Sequence, residues 1–171
     1  EDWEQDKSGH KTGAVGTEAE TRFIAKYPGE AGNSLAISLC PWSGLAAKGG
    51  DATLADSAFA NWAYSSYFDQ APDTSSYVSA RSIDSAVAHD ELHVVVLDEG
   101  GAFTGTPGTI LETWPFVSMA TDAKTADGTS NFDEDVLNTK SSYVWAANID
   151  DLRPTNLTAD NWVQLPTSGQ D

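Results

Sequence analysis

The sequence predicts an α+β fold, or the related α/β class: a mixed β-sheet flanked by a few helices. Three observations point there. Residues 92–97 (LHVVVL) form a near-continuous, largely β-branched apolar run, the pattern of a strand buried on both faces. Leu35, Ile37 and Leu39 alternate with small residues over a second stretch, the period of a strand. A helix-start pattern at Ser130 then stands between further strand-like segments. Strands with few helices between them suit one sheet with helices packed on it.

Taken in order, residues 1–20 are polar and charged, with scattered glycine, and read as a loosely held N-terminal segment. Residues 21–27 are semi-apolar and fit either helix or strand. Pro28-Gly29 and Gly32-Asn33 are turn signals, because proline presets φ while glycine and asparagine tolerate positive φ. The strand carrying Leu35, Ile37 and Leu39 reads as half-buried and ends at Pro41. Residues 43–56 are small, glycine-rich and loop-like. Phe59, Trp62 and the stretch 64–68 are dense in aromatics without a clean period. Asp73-Thr74-Ser75 can cap a short helix through about Arg81.

After the buried run at 92–97, residues 109–114 (TILETW) form the next strand, stopped by Pro115. Ser130 opens S-N-F-D, a capping-box pattern with an acid three residues on. Asp133, Glu134 and Asp135 fill the first turn, where the helix dipole favours anions. The helix spans 131–141, with Phe132, Val136 and Leu137 on one face and Lys140 near its end. Residues 143–147 read as a strand. Residues 149–171 are polar, with Pro154, Pro166 and Gly169, and read as a linker or the start of a next domain. The expected organisation is therefore 1–20, a core at 21–148, and 149–171.

Composition narrows the function classes. The chain has 171 residues, 40% of them apolar, which suffices for a packed core. No apolar run approaches the roughly 18–20 residues that span a bilayer. Net charge is −17, from 26 acids against 9 bases, and no Lys or Arg lies between Arg81 and Lys124. Such a surface repels phosphate backbones and anionic lipid, so direct nucleic-acid binding and membrane insertion are not expected. Cys40, the single cysteine, sits in an apolar run and reads as a small core residue.

The sharpest local feature is DEGGAFTGTPG at 98–108. Gly100 and Gly105 have Walker A spacing, but Thr106 and Pro107 stand where that motif needs Lys and Ser or Thr. Asp98 and Glu99 would repel a phosphate, and a strand follows the glycines where a dinucleotide site needs a helix. The stretch reads as a connection between two strands, with glycines supplying the turns. His89 and His93 have zincin-like i, i+4 spacing. On an extended chain, however, they lie about 13 Å apart, too far to share one zinc. Asp127, Gly128 and Glu134 match positions 5, 6 and 12 of an EF-hand loop, but Ala123 and Thr125 then fall at positions 1 and 3, where its first carboxylates belong. No G-x-S-x-G elbow is present. Asn156-Leu157-Thr158 fits a glycosylation acceptor and reads as incidental. Trp3, Trp42, Trp62, Trp114, Trp145 and Trp162 are spread along the chain, which favours burial over a shared sugar-stacking platform. No catalytic, cofactor-binding or metal-binding residue is assigned.

Two separated stretches carry a resemblance. HVVVLDEGGAFTGTPGTILETW, followed by VSMATDAKTADGTSNFDEDVLNTKSSYVWAAN, resembles the tail sheath protein of contractile-tailed, T-even-like bacteriophages. Upstream, AKYPGEAGNSL resembles that family's Pro-Gly-x-x-Gly-Asn-x-Leu segment. The likeness covers roughly 21–40 and 89–148 and is weak elsewhere. The triple acid at 133–135 makes the helix more acidic than the family pattern. The resemblance implies a non-enzymatic structural virion protein without cofactors, assembled in the host cytoplasm. Its subunits would stack as six-membered rings around a tail tube above a baseplate and contract to drive the tube through the host envelope. It also implies that residues 1–171 are an internal portion of a multidomain subunit. The residues leave two other classes open: a secreted carbohydrate-binding or adhesion module using the tryptophans, and a hydrolase with a Ser/His/Asp site.

Overall fold

A computed structural model describes residues 23–41, 59–81 and 89–146. The order is β1 (Phe23–Ala25), a single helical turn α1 (Glu30–Asn33), β2 (Leu35–Pro41), a 3-10 turn (Ser65–Tyr67), α2 (Ser76–Ala80), β3 (Glu91–Asp98), β4 (Thr109–Ser118), α3 (Asp133–Lys140) and β5 (Val144–Ala146). The α+β class holds, with the strands divided between two antiparallel sheets: β2-β3-β4 and β1-β5. The segments expected at 1–20, 43–56 and 149–171, and Asn156, lie outside the described residues.

The central strand explains the architecture. β3 is buried from Leu92 to Asp98, so its two sets of alternating side chains both need a cover. Leu92, Val94 and Val96 join Ile37, Leu39 and Val117 beneath α3 and the β1-β5 pair, where Val136, Leu137, Phe23, Val144 and Ala146 complete the layer. Val95 and Leu97 face the other way with Ala36 and Cys40, and the aromatic stretch Phe59, Trp62, Tyr64 and Phe68 closes over them. Covered on both faces, β2 is more buried than its alternation suggested: Ala36, Ile37, Leu39, Cys40 and Pro41 are all buried.

Local signals fared unevenly. Ser75 is the N-cap of α2, its Oγ accepting the Val78 N–H at 3.2 Å. Gly29 starts α1, so the second turn signal, Gly32-Asn33, belongs to a helical turn. Two expectations are corrected. Pro115 does not stop β4, which runs on to Ser118. The pairing with β3 skips there, with His93 standing opposite both Pro115 and Phe116, so the missing proline N–H falls in a bulge. Nor is Ser130 the N-cap of α3. The helix runs Asp133–Lys140 with Phe132 in the cap position, and the Ser130 hydroxyl accepts the Phe132 N–H and donates to Asp135 at 2.7 Å. Val136 and Leu137 form its buried apolar face beside buried Asp133, while Phe132, expected on that face, precedes the helix; Asp133 to Asp135 fill its first turn, as the sequence suggested.

Candidate functional site

Among the described residues, the loop 99–108 presents an ordered turn at the surface, and its order comes from one carboxylate. β3 delivers Asp98 into the interior, with 0% exposure. Its backbone carbonyl accepts the Gly108 N–H at 2.8 Å, which closes the loop. Its Oδ1 accepts from Ser34 Oγ at 2.6 Å. Its Oδ2 accepts from the Phe103 N–H at 3.0 Å, the Thr104 N–H at 2.7 Å and the Thr104 hydroxyl at 2.8 Å. Ser34 extends the network, its Oγ accepting the Ala102 N–H and its carbonyl the Gly100 N–H. Burial alone would raise the Asp98 pKa. The bonds from Ser34, Thr104 and Phe103 outweigh it and hold the carboxyl at about 2.

Phe103 fixes the loop from the other side. Its ring meets Tyr27 at 5.0 Å and Tyr143 at 5.3 Å, both edge-on. The loop is thereby tied to the ends of β1 and β5 as well as to β2. Thr104 through Gly108 form its continuous exposed run, with Gly100 and Ala102 also exposed. An open groove of about 610 Å³ lies beside it, between Gly108–Thr113 and the side chains of Ala63, Tyr64 and Tyr67. The connection between strands expected from the sequence is present. Asp98 was read there as a charge that repels phosphate. The structure makes it the pin of the loop, held by Phe103 and Thr104 nearby and by Ser34, 64 residues away, a partner no local spacing reveals.

Beyond the loop, a second carboxylate works in the same way. Glu112 accepts from the Ser141 hydroxyl at 2.6 Å and the Ser142 N–H at 2.7 Å, joining β4 to the end of α3. The two histidines have separate roles. His89, at φ 67, pairs through Nδ1 with Asp73 and donates its backbone N–H to the Thr74 hydroxyl at 2.7 Å, fixing the entry to β3. His93 is fully buried inside the strand, stacked on Phe68 at 4.2 Å. Asp90, between them, accepts the Ser75 N–H at 2.8 Å and the Ser118 hydroxyl.

The acidic turn considered for calcium is closed on itself. Asp127 accepts from the hydroxyls of Thr125 and Thr129 and from the Thr129 N–H, and those bonds lower its pKa. Glu134 is in the first turn of α3. Among the described residues, no group of three or more His, Cys, Asp or Glu side chains is placed to hold a metal ion. No helix among them is long and apolar enough to cross a membrane. Trp62 is buried, Trp114 is half-buried, and Trp145 is 37% exposed with the Lys26 ammonium 3.8 Å over its ring. Trp3, Trp42 and Trp162 lie outside the described residues. Cys40 is a buried core thiol whose pKa burial raises.

The loop is thus a stiff, exposed turn whose buried carboxylate is taken up by the hydrogen bonds that hold it. No protein-family model, curated protein or solved structure matches the chain.

Proposed function

We propose that the chain is part of a contractile-tail sheath subunit, a structural virion protein of a bacteriophage tail. The observation that carries this reading is the sequence resemblance over 21–40 and 89–148, joined to how those two stretches meet. β2 pairs with β3 over seven consecutive residues, from Leu35↔Asp98 to Pro41↔Leu92, and β1 pairs with β5. The stretches that share the family pattern thus form a common body. In the whole subunit, self-association into rings and a helical stack would supply the function, with the tube protein and baseplate as further partners. A pinned loop supports that role, because a contact segment already ordered loses little conformational entropy on assembly.

Electron microscopy of the full-length gene product tests the reading. Cross-striated tubes of stacked rings are expected. A full-length protein that stays monomeric at high concentration and forms no tubes with its tube protein would refute it.

A further inference from the structure

The pairing of β3 with β4 breaks where a titratable side chain fills the gap. Between Leu92↔Val117 and Val94↔Trp114, His93 alone stands against Pro115 and Phe116. Proline has no N–H for the ladder, and Phe116 turns to φ 52, a left-handed conformation that phenylalanine rarely adopts. The Phe116 N–H goes to His93 Nδ1 at 3.1 Å. A donor at that nitrogen leaves the ring proton on Nε2, which donates to the Gln70 carbonyl at 2.9 Å. One buried neutral imidazole therefore ties together β3, the bulge of β4 and the aromatic segment 59–71.

Among the described residues, its surroundings are almost free of charge. The ring stacks on Phe68 with an interplanar angle of 6° and meets the edge of Phe116 at 4.6 Å, with Phe59 and Trp62 farther out. From β2, Cys40 stands opposite in register, a thiol kept neutral by burial. Segment 59–71 brings Tyr64, whose pKa is raised by burial and by Glu99, and the exposed Asp69. The bulge itself carries no charge. On β3, Glu91 lies two residues earlier and accepts the Asp73 N–H. Burial accordingly lowers the His93 pKa below its ordinary value.

We propose that His93 is an acid-sensitive latch, whose protonation frees segment 59–71 and the end of β4 from the sheet while the layer of α3, β1 and β5 stays folded. A proton on Nδ1 would face the Phe116 N–H, setting two donors head to head inside an aromatic box. While the closed form stays neutral, the opening equilibrium rises about tenfold per pH unit below the free imidazole value of roughly 6.5. The inference stands independently of the sheath reading.

Cys40, the single thiol, lies under Trp62 and Phe68 and reports the opening. Its rate of labelling by 4,4′-dithiodipyridine is to be measured from pH 7.5 to 5.5, normalised at each pH to the urea-unfolded chain. A rise of about tenfold is expected in the wild type. His93→Gln should stay flat, since its amide can accept from Phe116 and donate to Gln70 but does not titrate. An unchanged wild-type rate, or an equal rise in both proteins, overturns the proposal. If His93→Gln does not fold, hydrogen exchange on the wild type decides. Acid should speed normalised exchange at Trp62, Phe68 and Phe116 while sparing Val136 and Ser141, and a uniform loss of protection refutes the latch.

Discussion

Alanine at Gly101 should damage the chain far more than alanine at Gly105, although both glycines sit in the same loop with nearly the same φ. Their φ values are 79° and 80°, and the Gly105 N–H donates to the Gly101 carbonyl at 2.8 Å. Any L-residue held in that left-handed region costs about 1–2 kcal/mol. At Gly105 a Cβ meets nothing within 4 Å, so Gly105→Ala should cost only that backbone term. At Gly101 the Cβ would sit 2.9 Å from both the Cδ and the N of Pro107. A proline ring cannot rotate away, and overlap of this kind adds about 1–3 kcal/mol. Gly101→Ala should therefore cost about 2–5 kcal/mol in all. Urea unfolding followed by far-ultraviolet circular dichroism reads the difference. With a slope of about 2 kcal/mol per molar, the midpoint should fall by roughly 0.5–1 M for Gly105→Ala and by roughly 1–2.5 M for Gly101→Ala. Equal midpoints for the two variants would show that the loop is not held in the conformation described, and would refute the reasoning.

Two further outcomes follow from the same network and core. Asp98 has a folded pKa of about 2 against an ordinary 3.8, so its contribution is complete above about pH 4 and is lost as pH falls towards 2. Asp98→Asn should lower the urea midpoint at pH 7 and flatten its fall between pH 4 and 2; an unchanged acid slope would contradict the assignment. Leu137→Ala, at a fully buried position between α3 and the sheet, should lower stability by about 2–5 kcal/mol in the same assay, and a loss under 1 kcal/mol would argue against that packing.

Much of the fold was legible because strand and helix signals are local. The run at 92–97 names a strand covered on both sides whatever covers it, and the acids at 133–135 mark a helix start through the dipole. The two misreadings have a common origin. Pro115 ends a strand on an isolated chain, but here the bulge makes its missing N–H irrelevant, and His93 takes the next donor instead. Ser130 fits a capping box by spacing, yet the parallel bridge between Ser118 and Phe132 holds the entering chain so that the helix begins later. In both places a partner from another strand outweighed a one-residue preference.

The candidate site divides in the same way. By itself the sequence determined that 98–108 is a glycine-rich turn between strands, that it lacks a phosphate-binding lysine, and that His89 and His93 do not form a zinc pair in an extended chain. These conclusions rest on residue type and spacing along a few neighbours. Only the tertiary structure decided what Asp98, Glu112 and His93 do. Their partners Ser34, Ser141 and Gln70 are 64, 29 and 23 residues away. A buried polar group must find a hydrogen-bond partner, but the chain does not say which one until the sheet closes and brings it within reach.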